Sequence, residues 1–508
     1  MPALSFALDP RSRSQFPIQQ QIIETLRGLI LNGTLPLGSK LPATRVLSER
    51  LGVSRGTIVI AYHRLIAEGY LETQSTASTA VSRTLPNTFI EMGRNNPVKS
   101  LFEDEIFGIR DPADAIAFEA QAPRLFDPLQ DELLYDFRMG RVEKTFFPVK
   151  AWRRLVVECL GGAEYPLSQY GDPAGYWPLR TAICTHLLSA RGIRCAPEQV
   201  IIVAGCQEGL NVMARLLVAP GTPVAIEDPC YQGAAGVFES HNARLVAIPV
   251  DEDGLDIERL VASDAKLVYA TPSHQFPLGS TMSLKRRRSL IQWALDSGGY
   301  VIEDDYDSDF RYDHSPLPAV KALDTAERVI YLGTFSKSIG AGLRLGYAVV
   351  PPQLVRGATA AKALANNGHP WLEQAIMAAF IRSGGFEKHL RLIRKCYLAR
   401  RDCLIGQLYR QIGQHCVIKG IDAGMHLSLR VPSMGMSAYH LQKCLRPVGV
   451  GIYSLRDSPA RQFTRFAHDD DIIFFGYACL SESRIEMAVS RIARILGVTP
   501  VPIVPDRP

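Results

Sequence analysis

No apolar run in the chain approaches the roughly 18 residues that a membrane-spanning helix needs, so no membrane span is expected. The ten cysteines are scattered through 508 residues with no Cys-x-x-Cys pair. That usage fits reduced thiols and argues against a disulfide-stapled scaffold. The opening Met1-Pro2-Ala3-Leu4-Ser5-Phe6 has neither the basic start nor the long apolar core of a secretory signal. A cytoplasmic location is the expectation. Short internal repeats and low-complexity tracts are missing too, which leaves out a repeat architecture. Excess charge is small: the net value is +5, a weak signal for nucleic acid by itself. Its placement says more. Between Pro10 and Ala80 eight basic residues (Arg11, Arg13, Arg27, Lys40, Arg45, Arg50, Arg55, Arg64) face four acidic ones (Glu24, Glu49, Glu68, Glu72), so this segment carries +4 of the +5.

What is present is a chain of ordinary soluble composition, 47% hydrophobic and 21% charged. It is too long for one ordinary domain. Near the start the spacing predicts a helix over 17–32, with Ile18, Ile22, Leu26 and Leu29-Ile30 on one face and Asn32-Gly33 ending it. Thr44 is placed to cap a short helix over 45–51, and Gly52-Val53 turns the chain. Ser54 caps a second helix over 55–68, stopped by Gly69. A hairpin leaving Tyr70 and returning through Thr79 and Ala80 completes a winged helix-turn-helix over 14–82. In such a pair the second helix enters the major groove, N-terminal residues nearest the bases. That points to Ser54, Arg55, Gly56 and Thr57, with Arg45 at a phosphate and Ile58, Ala61, Leu65 and Ile66 as the core face. A small module that docks protein behind a solvated basic face is the other reading.

Farther along, Arg328-Val329-Ile330-Tyr331-Leu332 reads as a buried strand. It runs into Gly333-Thr334-Phe335-Ser336-Lys337-Ser338 and, past glycines, Arg344. A lysine at the tip of a buried strand is partly desolvated, so its pKa falls and the free amine becomes available. A free amine condenses with an aldehyde. The hydroxyls of Thr334 and Ser336 and the Arg344 guanidinium suit a phosphate. An aldehyde and a phosphate on one small molecule suggest pyridoxal phosphate, PLP. A strand end with a solvated lysine is the plainer alternative. Upstream, Gly299-Tyr300-Val301-Ile302-Glu303-Asp304-Asp305-Tyr306-Asp307 is a second apolar strand, ending in carboxylates and a tyrosine. PLP needs a carboxylate to keep its ring nitrogen protonated. Acidic strand ends also bind divalent cations, but the lysine and arginine stretch favours PLP, and no metal is expected.

Between these motifs the pattern alternates. Strands are expected over 200–204, 224–227, 245–250 and 266–270, and helices over 207–217, 231–240 and 284–296. This rhythm means an α/β domain with a mixed, mostly parallel sheet and helices on both faces. Ligands bind such sheets at the carboxyl ends of strands. Gly205-Cys206-Gln207 opens a helix at one such end, where backbone N–H groups suit a phosphate.

These motifs together resemble the MocR/GabR-type transcription regulators, in which a GntR-type winged helix is fused to a fold-type I, class I/II aminotransferase-like PLP domain. The likeness runs from about Pro17 to about Leu496. It rests on Leu41-Pro42-Ala43-Thr44-Arg45, on Leu51-Gly52-Val53-Ser54-Arg55-Gly56-Thr57 and on the two strand ends. It rests also on Ala270-Thr271-Pro272-Ser273-His274-Gln275-Phe276-Pro277-Leu278-Gly279, which is similar to the family's loop at the cofactor face. The resemblance implies a linker over 83–113, a PLP domain over 114–497 and a loose tail over 498–508. It implies PLP on Lys337, Asp304 at the ring nitrogen, Tyr306 near the ring hydroxyl and Tyr231 stacked on the ring. Tyr170 would reach the cofactor phosphate of the partner subunit in a homodimer, or be an ordinary core or interface tyrosine. Cys206 and Cys230 read as small packing residues.

The implied function is a PLP-dependent regulator that binds double-stranded operator DNA. An amino-compound effector displaces Lys337, giving an external aldimine, and the balance between conformers that hold DNA differently shifts. An active aminotransferase with an accessory DNA-binding domain is the rival reading, and a third uses the aminotransferase fold only as a dimerisation scaffold. Three departures from the resemblance bear on the sites. The wing reads Gln74-Ser75-Thr76-Ala77-Ser78 where the family turns on glycines. Phe276 stands before Pro277 where aminotransferases carry an asparagine for the ring hydroxyl, leaving His274 or Gln275 to substitute. Phe474 stands where aminotransferases place an arginine for a substrate carboxylate, leaving Arg456 either to grip the effector or to be a surface arginine. Leu101-Phe102 and Ile106-Phe107 are the expected linker elements that dock and couple the two halves.

Overall fold

The computed structural model describes residues 17–75, 78–84, 133–162, 169–312, 317–413, 416–430, 435–464 and 469–497. Leu101-Phe102, Ile106-Phe107, the tail beyond 497, and Thr76 and Ala77 of the wing lie outside the described residues. The chain divides into two compact units, Met1–Ile109 and Arg110–Pro508. No helix among the described residues is long and apolar enough to cross a membrane.

The first unit holds helices α1 (Ile18–Leu31), α2 (Thr44–Leu51) and α3 (Arg55–Ala67) and an antiparallel hairpin, β1 (Leu71–Ser75) with β2 (Ser78–Val81). The apolar periodicity closes a core from Ile22, Ile23, Leu26 and Ile30 of α1, Leu47 of α2, and Ile58, Ala61, Tyr62 and Leu65 of α3. Two expected details differ. Tyr62 joins the α3 core face, its ring buried and its hydroxyl donating to the Pro42 carbonyl at 3.0 Å, while Ile66 is half-buried and packs against the edge of that core. Thr44 is already helical, so Ala43 takes the cap position and no side chain caps α2. Ser54 does cap α3, accepting from the Thr57 N–H at 3.2 Å.

The second unit is built on an eight-stranded sheet. Its strands are β3 (Val200–Val203), β4 (Pro223–Asp228), β5 (Arg244–Asp251), β6 (Gly254–Leu255), β7 (Leu267–Ala270), β8 (Tyr300–Asp305), β9 (Val329–Thr334) and β10 (Gly346–Val349). Their spatial order is β3-β10-β9-β8-β7-β4-β5-β6. Neighbours from β9 through β5 are parallel; β10 runs antiparallel between β9 and β3, and β6 antiparallel to β5. A strand covered on both faces reads as a continuous apolar run, and every residue of Val-Ile-Ile-Val in β3 and Leu-Val-Tyr-Ala in β7 is buried. A smaller antiparallel sheet follows, β11 (Val417–Lys419), β12 (His426–Arg430), β13 (Tyr453–Ser454) and β14 (Ile472–Gly476), in the order β11-β12-β14-β13.

Candidate functional site

Parallel register decides where the chemistry gathers. Asp304 of β8 pairs with Leu332 of β9, and Asp305 with Gly333. The carboxylate strand end and the lysine that follows β9 therefore sit side by side at one end of the sheet. β3 ends there too and hands over at Gly205 to helix α4 (Cys206–Leu217). The three strand ends open into a cavity of about 2490 Å³, lined among others by Lys337, Asp304, Tyr306, Tyr231, Gln207 and Arg344.

One wall suits a phosphate. Gly205 has φ +110°, and a Cβ there would lie 3.6 Å from Arg344 Nη2 and 3.8 Å from Thr334 Oγ1, so the missing side chain keeps α4's N-terminus open beside both groups. Thr334 Oγ1 donates to Ser336 Oγ at 2.9 Å and accepts from the Ser336 N–H at 3.1 Å. Arg344 is left-handed, φ +49°, at the end of a short 3-10 turn. Helix N–H groups, hydroxyls and a guanidinium on one concave wall form an anion cradle.

Opposite lies the amine. Lys337 is half-buried and donates from Nζ to the Gly140 carbonyl at 3.0 Å. Burial lowers its pKa, with Asp307 and Asp304 working against the shift. Gly140 has φ +76°, and a Cβ there would stand 2.8 Å from Nζ, so this turn must lack a side chain for the lysine to reach the carbonyl.

Asp304 is buried, and its Oδ2 accepts from the Tyr269 hydroxyl at 2.9 Å. Its Oδ1 is also buried and receives no hydrogen bond from the described residues. Burial pushes this carboxyl up to about 6. A raised folded-state pKa means that the stability tied to the protonated form is present below the ordinary carboxylate range and is lost as pH rises through about 6. Cofactor-free wild type should therefore lose melting temperature relative to Asp304→Asn between pH ~4 and ~6. Scanning fluorimetry of both proteins across that range checks it; parallel curves would contradict it.

The loop after β7 departs from a simple substitution for the missing asparagine. Gln275 turns away from the cavity, donating to the Pro229 and Phe276 carbonyls at 2.8 Å and to Glu227 Oε2 at 3.3 Å. Burial raises the Glu227 carboxyl to about 7. His274 lies behind Tyr306 and does not line the cavity: Tyr306 donates to the His274 carbonyl at 3.0 Å, and His274 Nδ1 lies 2.9 Å from Asp307 Oδ2. His426 of β12 meets His274 at a tilt of 48°, ring centroids 4.5 Å apart, and its Nε2 pairs with the Pro277 carbonyl at 3.0 Å. Burial holds the His426 pKa well below its usual value. Sequence reasoning missed Gly140, Tyr269, Asp307 and His426. Asp307 closed the acidic stretch, and the glycine of Arg138-Met139-Gly140-Arg141 was the available sign for the turn.

Other expected residues fall as follows. Tyr231 lines the cavity and meets Phe276 edge-on at 5.7 Å; burial raises its phenol pKa. Cys206 lines the cavity, and burial pushes its thiol well up. Cys230 is buried. Tyr170 is 87% exposed and does not line the cavity. Arg456 lies on the rim, exposed, with its guanidinium 4.5 Å from the Tyr439 ring centroid. Phe474 is fully buried and packs with Met139, Phe276, Tyr453 and Leu455. In the first unit Arg45, Ser54, Arg55 and Gly56 are exposed and Thr57 half-buried, all at the start of α2 or α3.

Two family models match the chain: "Bacterial regulatory proteins, gntR family" over residues 18–81 and "Aminotransferase class I and II" over residues 140–455. The "Probable rhizopine catabolism regulatory protein MocR" of Rhizobium meliloti is 37% identical over 82% of this chain and 82% of its own length. The chain belongs to the MocR-type, GntR-family transcriptional regulators. The "Uncharacterized HTH-type transcriptional regulator YdeL" of Bacillus subtilis is 31% identical over 94% of this chain and 96% of its own. Among solved structures, the α-aminoadipate aminotransferase LysN of Thermus thermophilus, complexed with N-(5'-phosphopyridoxyl)-L-leucine, is 27% identical with a TM-score of 0.66. The match covers 75% of this chain and 98% of that one. The MocR-type architecture is thus a GntR DNA-binding domain joined to a fold-type I aminotransferase domain, and that fold implies PLP.

Proposed function

We propose that this MocR-type regulator holds PLP on Lys337 and lets an amino compound, bound at the same place, alter its grip on operator DNA. The observation that carries the proposal is the conjunction at one sheet end: a lysine amine with lowered pKa, a buried carboxylate with an unfilled oxygen, and an anion cradle. The LysN complex supports it, because a phosphopyridoxyl group sits in a relative of this fold. The domains on this reading are 14–82 for DNA, 83–113 as linker, 114–497 for the cofactor and 498–508 as tail.

When bound, the cofactor supplies an aldehyde that can be shared between a lysine and an incoming amine. The chain's residues do the rest. Arg344, Thr334, Ser336 and the N–H groups at Gly205, Cys206 and Gln207 hold the phosphate. Asp304, whose Oδ1 is buried without a partner among the described residues, would accept from the ring nitrogen and keep its proton in place. Tyr306 sits near the ring hydroxyl with its phenol oriented by His274, and Tyr231 packs on the ring. The Gly140 carbonyl, which accepts from the Lys337 amine at 3.0 Å, would hold that amine whenever it is not joined to the cofactor. Phe474, standing where aminotransferases carry an arginine, is fully buried in an apolar cluster and offers no cation to a substrate carboxylate, which favours ligand sensing over turnover. Arg456 on the rim remains the candidate for an effector's anionic end, and Tyr170 the candidate to reach the phosphate of the partner subunit in a homodimer.

Borohydride reduction of the purified protein, followed by peptide mass spectrometry, tests the assignment. A phosphopyridoxyl mass on the Lys337 peptide is expected; the tag on another lysine, or none, would sink it.

A further inference from the structure

One face of α3 has no role inside its own unit. Ile58, Ala61, Tyr62 and Leu65 are buried in the core. At about 100° per residue, the face opposite them is Gly56, Ile60 and His63. All three are exposed, Ile60 by 52%.

Gly56 has no internal reason to be glycine. A Cβ built on it would meet only Ser54 Oγ, at 3.7 Å, which is ordinary contact. Its backbone is not among the left-handed positions. Glycine weakens a helix relative to alanine, so folding alone selects against it here. An internal explanation being absent, close approach of something outside the protein remains. Ile60, one turn on, is β-branched and apolar on a wet helix surface, where neither property helps the helix. The flanking cation Arg64 is turned to the protein itself, 3.1 Å from Glu68 and 3.3 Å from Gln20. Gly56 and Ile60 therefore make a smooth, apolar stretch between Arg55 at the front and His63 and Arg64 behind.

The major groove presents one apolar group at base edges, the 5-methyl of thymine. We infer that Ile60 reads a thymine through that methyl, and that Gly56 lets α3 lie close enough to the base edges for the contact. The inference rests on the DNA-reading role of this unit. Ile60 is four residues past Gly56, about 6 Å along the helix. The thymine therefore lies one or two base-pair steps from the bases facing the first turn.

The test uses the full-length protein and a randomised duplex pool, from which bound sequences are enriched and a consensus half-site is derived. Each thymine in it is then replaced by deoxyuridine, which removes only the methyl, and affinity is measured by fluorescence anisotropy. One thymine per half-site should lose about fourfold in affinity on that change, the worth of one buried methyl-sized group. Ile60→Ala should bind the thymine and deoxyuridine duplexes equally. Gly56→Ala should melt no lower than wild type and yet bind the consensus more weakly. A pool that yields no consensus overturns the DNA-reading role and this inference together. A consensus whose deoxyuridine forms all bind like thymine, or whose sensitivity persists in Ile60→Ala, overturns the inference and leaves the DNA-reading role standing. A Gly56→Ala variant that binds the consensus as tightly as wild type removes the close-approach argument.

Discussion

Lys337→Ala should give a folded protein that has lost the visible absorbance of a lysine-linked cofactor entirely. Among the described residues the amine donates to one partner, the Gly140 carbonyl, at 3.0 Å. A bond of that kind contributes about 0.5–1.5 kcal/mol net. Removing a desolvated amine offsets part of the loss, since burial is what lowers its pKa. The fold should hardly notice, while on the proposed reading covalent attachment depends on this residue: Lys337 is the cavity lysine that stands with Asp304 and the cradle at the strand ends. The far-ultraviolet dichroism of the variant should match wild type while its visible band is gone. A variant that keeps the band would show that another lysine carries the cofactor.

Arg55→Ala should weaken binding to the selected operator about 5–150-fold, the equivalent of one base contact at about 1–3 kcal/mol. Binding to random duplex should change far less. Arg55 is exposed at the first helical position of α3, directly after the Ser54 cap, where recognition helices meet base edges. Arg45 is different in kind. It is exposed on α2, 3.2 Å from Glu49, and its loss should act mainly on the salt dependence. Anisotropy titrations on operator and random duplex at two salt concentrations separate these roles. Equal losses on both DNAs would make Arg55 a phosphate contact.

The parts of the site that sequence made legible are those written at strand ends. Lys337 and Asp304 each follow an apolar run, and parallel pairing of neighbouring runs brings their ends together whatever the loops do. Gly205 was legible for the same reason, standing between β3 and α4. The Gly140 carbonyl was not, because it is 197 residues from the lysine it receives and only tertiary packing joins them. His274 and Gln275 were legible as members of a cofactor-face loop but not in their orientation. That is decided by partners at the ends of other strands, Asp307 for the histidine and Glu227 and Pro229 for the glutamine. In the winged helix the period placed Ile58, Ala61 and Leu65 correctly. It put Ile66 on that face but left out Tyr62, one turn earlier on the same side, whose ring is buried with its hydroxyl bonded to Pro42. Thr44 and Ser54 look alike as caps in sequence, yet Thr44 is helical and only Ser54 has the extended backbone a cap requires.

That arrangement also states what an effector must do. A ligand shifts a conformational balance only by binding one conformer better than the other. The cavity is where such a difference would act: His426 of the smaller sheet and Asp304 of the large sheet both line it, so a ligand there touches groups from both. On the proposed reading, occupancy at Lys337 is felt by DNA. The direct measurement is the affinity of full-length protein for its selected operator, by anisotropy, across a panel of amino compounds, with wild type and Lys337→Ala side by side. At least one amine should change the wild-type affinity by about 5-fold or more, the low end of allosteric coupling, and none should change that of Lys337→Ala. An amine that shifts both proteins equally would contradict the claim.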